Sequence, residues 1–204
     1  NFAKHEKIEN NGRLRFSFFR KAGGFYTPET NDAEFIIEGW ESTNEGFQLN
    51  ANGLTVDIYT EIEKHPNILS LYKTSNAQIY VMAAIYKKAH NLDDCLLVNS
   101  RNRIIESIDS NLFLVKDNTL FTPPLNEGCV AGTMREFLLH IANKQKIVVH
   151  ENPLTIEDLL LADEAFLTNA LYGIRWINTC KSKTYTNKIT GDLSEILNHE
   201  LIGK

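Results

Sequence analysis

Long apolar runs are missing from this chain. None approaches the roughly 20 residues that a membrane-spanning helix needs, although 43% of the residues are hydrophobic. Excess positive charge is missing too. Lys and Arg number 21 against 26 Asp and Glu, for a formal net charge of −5, whereas a nucleic-acid-binding face wants a basic stripe. Cysteine is scarce. Cys95, Cys129 and Cys180 are far apart and odd in number, which argues against a disulfide framework and for reduced thiols in a cytoplasmic protein. The six histidines fall at no ligand spacing, so no metal is expected. Internal repeats and low-complexity segments are absent. A charged-then-apolar targeting pattern is absent as well. The chain opens "NFAKHEKIENNGRLRF" without an initiator Met, and the expectation is that the numbering starts inside a longer polypeptide.

What is present is an ordinary globular composition, with 23% charged residues, and a length that suits one large domain or a large one with a smaller companion. GRLRFSFFR (12–20) alternates and is rich in aromatics, so it reads as a strand. AEFIIEGW (33–40) and LTVDIYTEI (54–62) read the same way, and KAGGFYTPET (21–30) is a Gly- and Pro-bearing loop. ESTNEGFQLNANG (41–53) is polar and rich in Gly and Asn, the best candidate for a linker between a unit over 1–40 and one over 54–204. After Lys73 a helix is expected, capped by Thr74 or Ser75, with Ile79, Met82, Ala83 and Tyr86 at helical spacing and an end near His90 and Asn91. CLLVN and RIIESI read as a hairpin around SRN, and NLFLVKDNTLFTPP as another with Asp117 and Asn118 at its turn. A second helix opens near Thr133, Thr155 and Asp158 are spaced as a capping box, AFLTNALYGIRWIN offers two short strands, and GDLSEILNHELI is an amphipathic terminal helix. Hairpins outnumber crossovers, which favours α+β over a doubly wound parallel sheet.

Three places could carry chemistry. Lys73 follows Ile68, Leu69, Leu71 and Tyr72 and precedes a helix. Desolvation and the positive end of the helix dipole both disfavour its ammonium form, and a neutral amine forms Schiff bases with aldehydes. A lysine snorkelling from a strand end accounts for the same stretch. In GCVAGTMREF (128–137), Gly128 and Gly132 let the backbone approach a ligand closely, and the N–H groups of Thr133 and Met134 open a helix, an arrangement suited to phosphate. A capped glycine-rich loop accounts for it equally. Glu106 lies among Ile104, Ile105 and Ile108 and by alternation faces away from Ile105. A carboxylate near an apolar sheet needs a cationic partner, such as a protonated pyridine nitrogen, unless it is a solvated edge-strand residue.

Taken in order, LYKTSNAQIYVMAAIYKK, LLVNSRNRIIESIDSNLFLV, TPPLNEGCVAGTMREFLL and ADEAFLTNALYGI resemble the class IV aminotransferase family, the fold-type IV enzymes that use pyridoxal 5′-phosphate. The likeness runs from RLRFSFFRKAGGFYTPE onward. It implies a small α/β domain, of which 1–40 is the C-terminal part, and a larger β-rich pseudobarrel domain with helices over 54–204. It implies that Lys73 forms the Schiff base and that Glu106, which opens an E-x-x-x-x-N-L-F segment with Asn111, Leu112 and Phe113, pairs with the pyridine nitrogen. It implies that Val130, Gly132, Thr133, Met134, Thr168 and Asn169 surround the cofactor, with the Thr133 and Met134 N–H groups on its phosphate. Lys87 and Lys88 are poor rivals to Lys73, being too near Glu106 in sequence and at the wrong end of the helix.

Within the family the likeness leans to the 4-amino-4-deoxychorismate lyases of folate biosynthesis. GTMREF resembles their Gly-Ile-Met-Arg motif, where transaminases usually show Thr in place of Met, and ADEAFLTNAL resembles their Asn-Ala-Leu segment. The alternative is a transaminase for branched-chain or D-amino acids with a 2-keto acid acceptor. The family also implies a homodimer with a small amino-acid-like substrate. Two departures stand out. Phe25 lies between Gly24 and Tyr26 where some lyases have an Arg, and the family's N-terminal segment, with its phosphate-binding Arg, has no match.

Overall fold

Aromatic residues alternating with Arg and Ser shape the first hairpin. In this computed structural model, which describes residues 2–6, 8, 11–42 and 46–203, β1 (Gly12–Arg20) and β2 (Ala33–Glu41) pair antiparallel from Gly12↔Glu41 to Arg20↔Ala33. They follow a one-turn helix, α1 (Phe2–His5). Arg15 forms an ion pair with its cross-strand neighbour Glu38, and the guanidinium groups of Arg13 and Arg15 lie 5.3 and 5.8 Å from the Trp40 ring centre. Phe16, Phe18 and Phe35 remain exposed. By contact density the chain divides into two units, Asn1–Gly46 and Phe47–Lys204.

The larger unit is built on one mixed sheet of nine strands. β3 (Leu54–Lys64) leads through a short 3-10 turn (Ile68–Leu71) and α2 (Gln78–Ala89) to β4 (Asp94–Asn99), which pairs parallel to it. Local hairpins then add β5 (Ile104–Ser107), β6 (Asn111–Lys116) and β7 (Thr119–Thr122). A second 3-10 turn (Leu125–Glu127), α3 (Thr133–Lys144), β8 (Val149–Glu151) and α4 (Ile156–Leu161) follow. β9 (Glu164–Asn169) pairs with both β6 and β10 (Gly173–Cys180), and β10 pairs parallel to β3. The sheet therefore closes on itself through β10, β3, β4, β5, β6 and β9. A two-residue strand, β11 (Lys183–Thr184), and α5 (Lys188–Ile202) complete the chain.

The strand alternation sorts the core into one interior and two outer layers. Val56, Ile58, Leu96, Val98, Leu112, Leu114 and Leu167 pack together from strands all around the closed sheet. On the outer face, Phe113 and Phe166 stack with ring centres 5.2 Å apart beneath Leu138 and Ile141 of α3 and Leu193 and Leu197 of α5. Tyr59, Cys95, Leu97 and Ile105 pack beneath Ala83 of α2. The segment entering this unit is tied down: Asn50 exchanges hydrogen bonds with the backbone N–H and C=O of Trp176 at 2.9 and 3.0 Å, as a neighbouring strand would. No helix among the described residues is long and apolar enough to cross a membrane.

Three local expectations are corrected. α2 begins at Gln78 with Ala77 at its cap and no side-chain cap, so Thr74 and Ser75 do not cap it. Met82 is 41% exposed and does not share the buried stripe with Ala83. The register of β4 with β5 shifts between Leu97 and Val98, and such a bulge breaks strict alternation. Glu106 stands opposite Leu97, and Ile105 packs with Leu97 in the same layer, so Glu106 does not face away from Ile105; both turn toward α2.

Candidate active site

Glu106 is the centre of the site. It is 3% exposed, and both its oxygens are engaged from different elements. Oε1 receives the Lys64 ammonium at 2.6 Å and the Tyr80 hydroxyl at 2.8 Å, while Oε2 accepts the Val130 N–H at 2.8 Å. Lys64 ends β3, Tyr80 lies in the first turn of α2, and Val130 lies in the loop before α3. Lys64 also donates to Tyr80 at 2.7 Å. Burial and then the Glu106 charge push the Tyr80 phenol well above its ordinary value, so it stays a donor at any ordinary pH. The cationic partner that a carboxylate against an apolar sheet requires is thus supplied by the chain itself. The alternating segment 54–62 stops short of Lys64; the signal for it is the charged run Glu61, Glu63, Lys64, with which the strand ends.

The Val130 loop forms a cradle. Gly128 ends the preceding 3-10 turn with φ +100°, a left-handed conformation that suits glycine, and packs against Pro66. Gly132 is needed for space: a Cβ there would stand 2.1 Å from Asn111 Oδ1. Asn111 Nδ2 donates to the Val130 carbonyl at 2.8 Å. Gly132 is the N-cap of α3 and offers no side-chain cap, so the first N–H groups of that helix, those of Thr133 and Met134 among them, lack intrahelical partners. Thr133 is exposed, while Met134 is buried in the layer under α3.

Thr168 stands opposite Asn111 across β9 and β6. It is 1% exposed, and its hydroxyl is buried with no hydrogen-bond partner among the described residues. Asn169 spends its polar atoms on turns: Oδ1 accepts from the N–H groups of Leu171 and Tyr172, and Nδ2 donates to Ser110 Oγ at 2.9 Å.

Lys73 lies in the loop between Leu71 and α2 and is exposed. It does not stand at the start of the helix, because the N-cap, Ala77, comes four residues later. Its loop is nevertheless fastened to the cradle, since the Ala131 N–H donates to the Leu71 carbonyl at 3.0 Å. Lys87 is engaged elsewhere, donating to the Asp93 carbonyl at 3.0 Å.

Supporting residues that the sequence did not advertise lie around the cradle. Glu127 is buried, bound by Asn99 Nδ2 at 2.6 Å and Arg101 at 2.8 Å. Arg135 is 4% exposed and binds the Pro123 carbonyl at 2.9 Å and Glu151 at 2.6 Å. Cys129 is buried, and burial followed by the nearby Glu106 charge pushes its thiol up to about 11. A cavity of about 340 Å³ lined by Pro66, Asn67, Leu71, Arg101, Leu125 and Asn126 adjoins this region but includes neither Glu106 nor the cradle.

A carboxylate fixed by its neighbours, a glycine cradle at a helix start and a lysine loop hydrogen-bonded to that cradle are thus brought together in one unit. The Amino-transferase class IV family profile matches residues 1–180, and the chain belongs to that family. An aminodeoxychorismate lyase from Vibrio harveyi is 35% identical over 107 residues, covering 52% of this chain and 40% of that protein. The branched-chain aminotransferase of Thermoproteus uzoniensis, solved with norvaline, superposes with a TM-score of 0.86 at 24% identity, over 95% of this chain and 65% of its own. An aminotransferase from Brucella abortus, solved with pyridoxal phosphate bound, gives a TM-score of 0.79 at 20% identity, over 95% and 69% of the two chains. The fold is accordingly that of the fold-type IV aminotransferases. The chain spans less than half the length of the first curated relatives it matches.

The residues present fit such a cofactor at both ends. The unpartnered Thr168 hydroxyl and the uncapped start of α3 meet the needs of a phosphate. Glu106, whose Oε2 accepts a single hydrogen bond among the described residues, meets those of a protonated ring nitrogen.

Proposed function

We propose that this chain is the catalytic portion of a pyridoxal 5′-phosphate-dependent lyase that converts 4-amino-4-deoxychorismate to 4-aminobenzoate and pyruvate. Residues 54–204 serve as the cofactor-binding domain, 1–40 as part of the small domain, and 41–53 as the link. When bound, the cofactor supplies the electron sink for bond breaking. Thr168 and the N–H groups of Thr133 and Met134 hold the phosphate, Gly132 and Val130 shape its approach, and Asn169 fixes the neighbouring turns. Glu106 takes the ring nitrogen and keeps a proton on it. Lys73 would hold the cofactor through its amine and, once freed, would take the proton from the substrate carbon that bears nitrogen. The electron pair left on that carbon would break the neighbouring ring C–O bond, so that enolpyruvate leaves, takes up a proton to become pyruvate, and the ring becomes aromatic.

The observation that carries this reading is the direct Val130 N–H to Glu106 hydrogen bond of 2.8 Å. It makes the acceptor for the ring nitrogen and the phosphate cradle one hydrogen-bonded unit. The lyase assignment draws on the Vibrio relative and on the GTMREF and TNAL segments. The second reading, an aminotransferase for branched-chain or D-amino acids with a 2-keto acid acceptor, is favoured by the aminotransferases among the structural neighbours.

The same family reading carries a homodimer. Ile68, Leu69, Tyr72, Val81, Met82 and Ile85 are all exposed on and beside α2, an apolar surface suited to a second copy of the chain. Light scattering of the full-length protein checks it, and a monomer at micromolar concentration rules it out. Reduced thiols and the lack of a basic stripe suit a cytoplasmic enzyme with no nucleic-acid or membrane partner.

The deciding experiment gives the full-length protein pyridoxal phosphate and 4-amino-4-deoxychorismate without a keto acid. Release of 4-aminobenzoate and pyruvate, lost together with the long-wavelength absorbance in Lys73→Ala, is expected. Cofactor bound without release transfers the assignment to the aminotransferase, tested next with L- and D-amino acids. Full activity in Lys73→Ala overturns both.

A further inference from the structure

We propose that Lys64 is a positioning residue for the cofactor ring, acting through Glu106. The proposal rests on the reading that Glu106 receives the ring nitrogen. A carboxylate oxygen accepts about two hydrogen bonds in its plane. Oε1 has both, from Lys64 at 2.6 Å and Tyr80 at 2.8 Å. Oε2 has one, from Val130. The chain's own groups therefore choose the oxygen that meets the ring, and they lock the carboxylate rotamer from β3, α2 and the cradle loop at once.

Charge adds to geometry. The side chains of Lys64 and Glu106 are 12% and 3% exposed, and a buried carboxylate deprived of its cation is strongly disfavoured. Lys64 supplies that cation before any cofactor arrives, so the site is preorganised when empty. The Lys64 ammonium also lies 5.3 Å from the Tyr80 ring centre and donates to its hydroxyl, which restrains the lysine in turn. The same geometry separates the two lysines of the site. An amine in contact with the carboxylate that holds the ring nitrogen is at the opposite corner of the ring from the aldehyde carbon. Lys64 therefore cannot be the anchoring amine, and that role stays with Lys73 on the loop tied to the cradle.

The test compares full-length wild type with Lys64→Met, Lys64→Gln, Lys64→Arg, Tyr80→Phe and Lys73→Ala. Each is titrated with pyridoxal phosphate by absorbance, and the thermal midpoint of each cofactor-free protein is measured in parallel. Lys64→Met is expected to weaken cofactor binding on the order of 10- to 100-fold, the scale found when a group that orients a ligand-binding residue is removed, and to displace the long-wavelength band. Lys64→Arg, which keeps the cation, should restore both to within a few-fold. Tyr80→Phe, which keeps the ion pair, should weaken binding less than Lys64→Met, and Lys64→Gln, which removes the charge but keeps a polar donor, reads the proposal if Lys64→Met fails to fold. Cofactor affinity and band unchanged in Lys64→Met, or in Lys64→Gln where Lys64→Met does not fold, overturn the proposal. A lowered thermal midpoint with affinity and band unchanged also overturns it, since the pair is then only structural. A wild type without a Lys73-dependent band refutes the underlying reading instead. A band lost in Lys64→Met but kept in Lys73→Ala refutes both, because the lysine roles are then exchanged.

Discussion

Glu106 and Gly132 show how narrowly single residues are specified here. Glu106→Gln keeps the shape but removes the charge, leaving the Lys64 ammonium without its anion. The expected result is a folded protein that binds cofactor and turns over at least ~10²-fold more slowly, the low end of what acid–base groups contribute; an unchanged rate assigns Glu106 to structure alone. Gly132→Ala puts a methyl 2.1 Å from Asn111 Oδ1, so Asn111 must release the Val130 carbonyl and the cradle opens. Cofactor affinity should fall while the thermal midpoint of the cofactor-free protein moves little, which a titration and a melting curve measure. The cysteines give a third check. Cys95, Cys129 and Cys180 are at most 1% exposed, and burial pushes their thiols up to about 12, 11 and 11. Ellman's reagent at pH 8 should find almost none in the native protein and all three after denaturation.

At the scale of elements, the strands and helices were legible because their patterns are local. β1 matches its alternating segment from end to end, Asp117 and Asn118 adopt the positive φ values of 48° and 59° that their hairpin turn demands, and Thr155 and Asp158 form the capping box. Thr155→Ala should cost about 1 kcal/mol in urea denaturation, the usual worth of such a cap. What was illegible depends on distant partners. α5 has no side-chain cap of its own; instead Glu164, buried on β9, accepts the N–H groups of Ile189 and Thr190 at 2.9 and 2.8 Å. The Lys64 contact to Glu106 spans 42 positions, and no periodicity in either strand announces it. The fold class and the helix that opens at Thr133 after a glycine loop could therefore be read, while the groups that hold Glu106 could not. Buried Asp94 carries a pH signature of the same kind. Desolvation, then the Asp109 charge, raises its carboxyl above the ordinary 3.8, against opposing bonds from Cys95 N–H, Arg175 and Ser107. As pH climbs past 3.8 the unfolded chain gives up that proton while the fold keeps it, so this residue lowers stability with rising pH until it ionises in the fold as well. Relative to wild type, Asp94→Asn should gain stability as pH rises over that interval, read from urea midpoints.

For the whole molecule, the stacked pair Phe113 and Phe166 joins β6 and β9 to the layer under α3 and α5, and Phe166→Ala should lower stability by roughly 3–5 kcal/mol, measured by denaturant titration. The way the sheet closes sets an order of events in time. β10 pairs with β3 between Ile177 and Leu54, so the closing strand is made about 120 residues after the strand it completes. The hairpins from β4 to β7 involve near neighbours and can assemble at once, but pairings of such long separation raise contact order and slow folding. During synthesis β3 therefore waits with one edge unpaired until nearly the last strand has emerged, and a nascent chain interrupted before β10 carries an open, aggregation-prone edge.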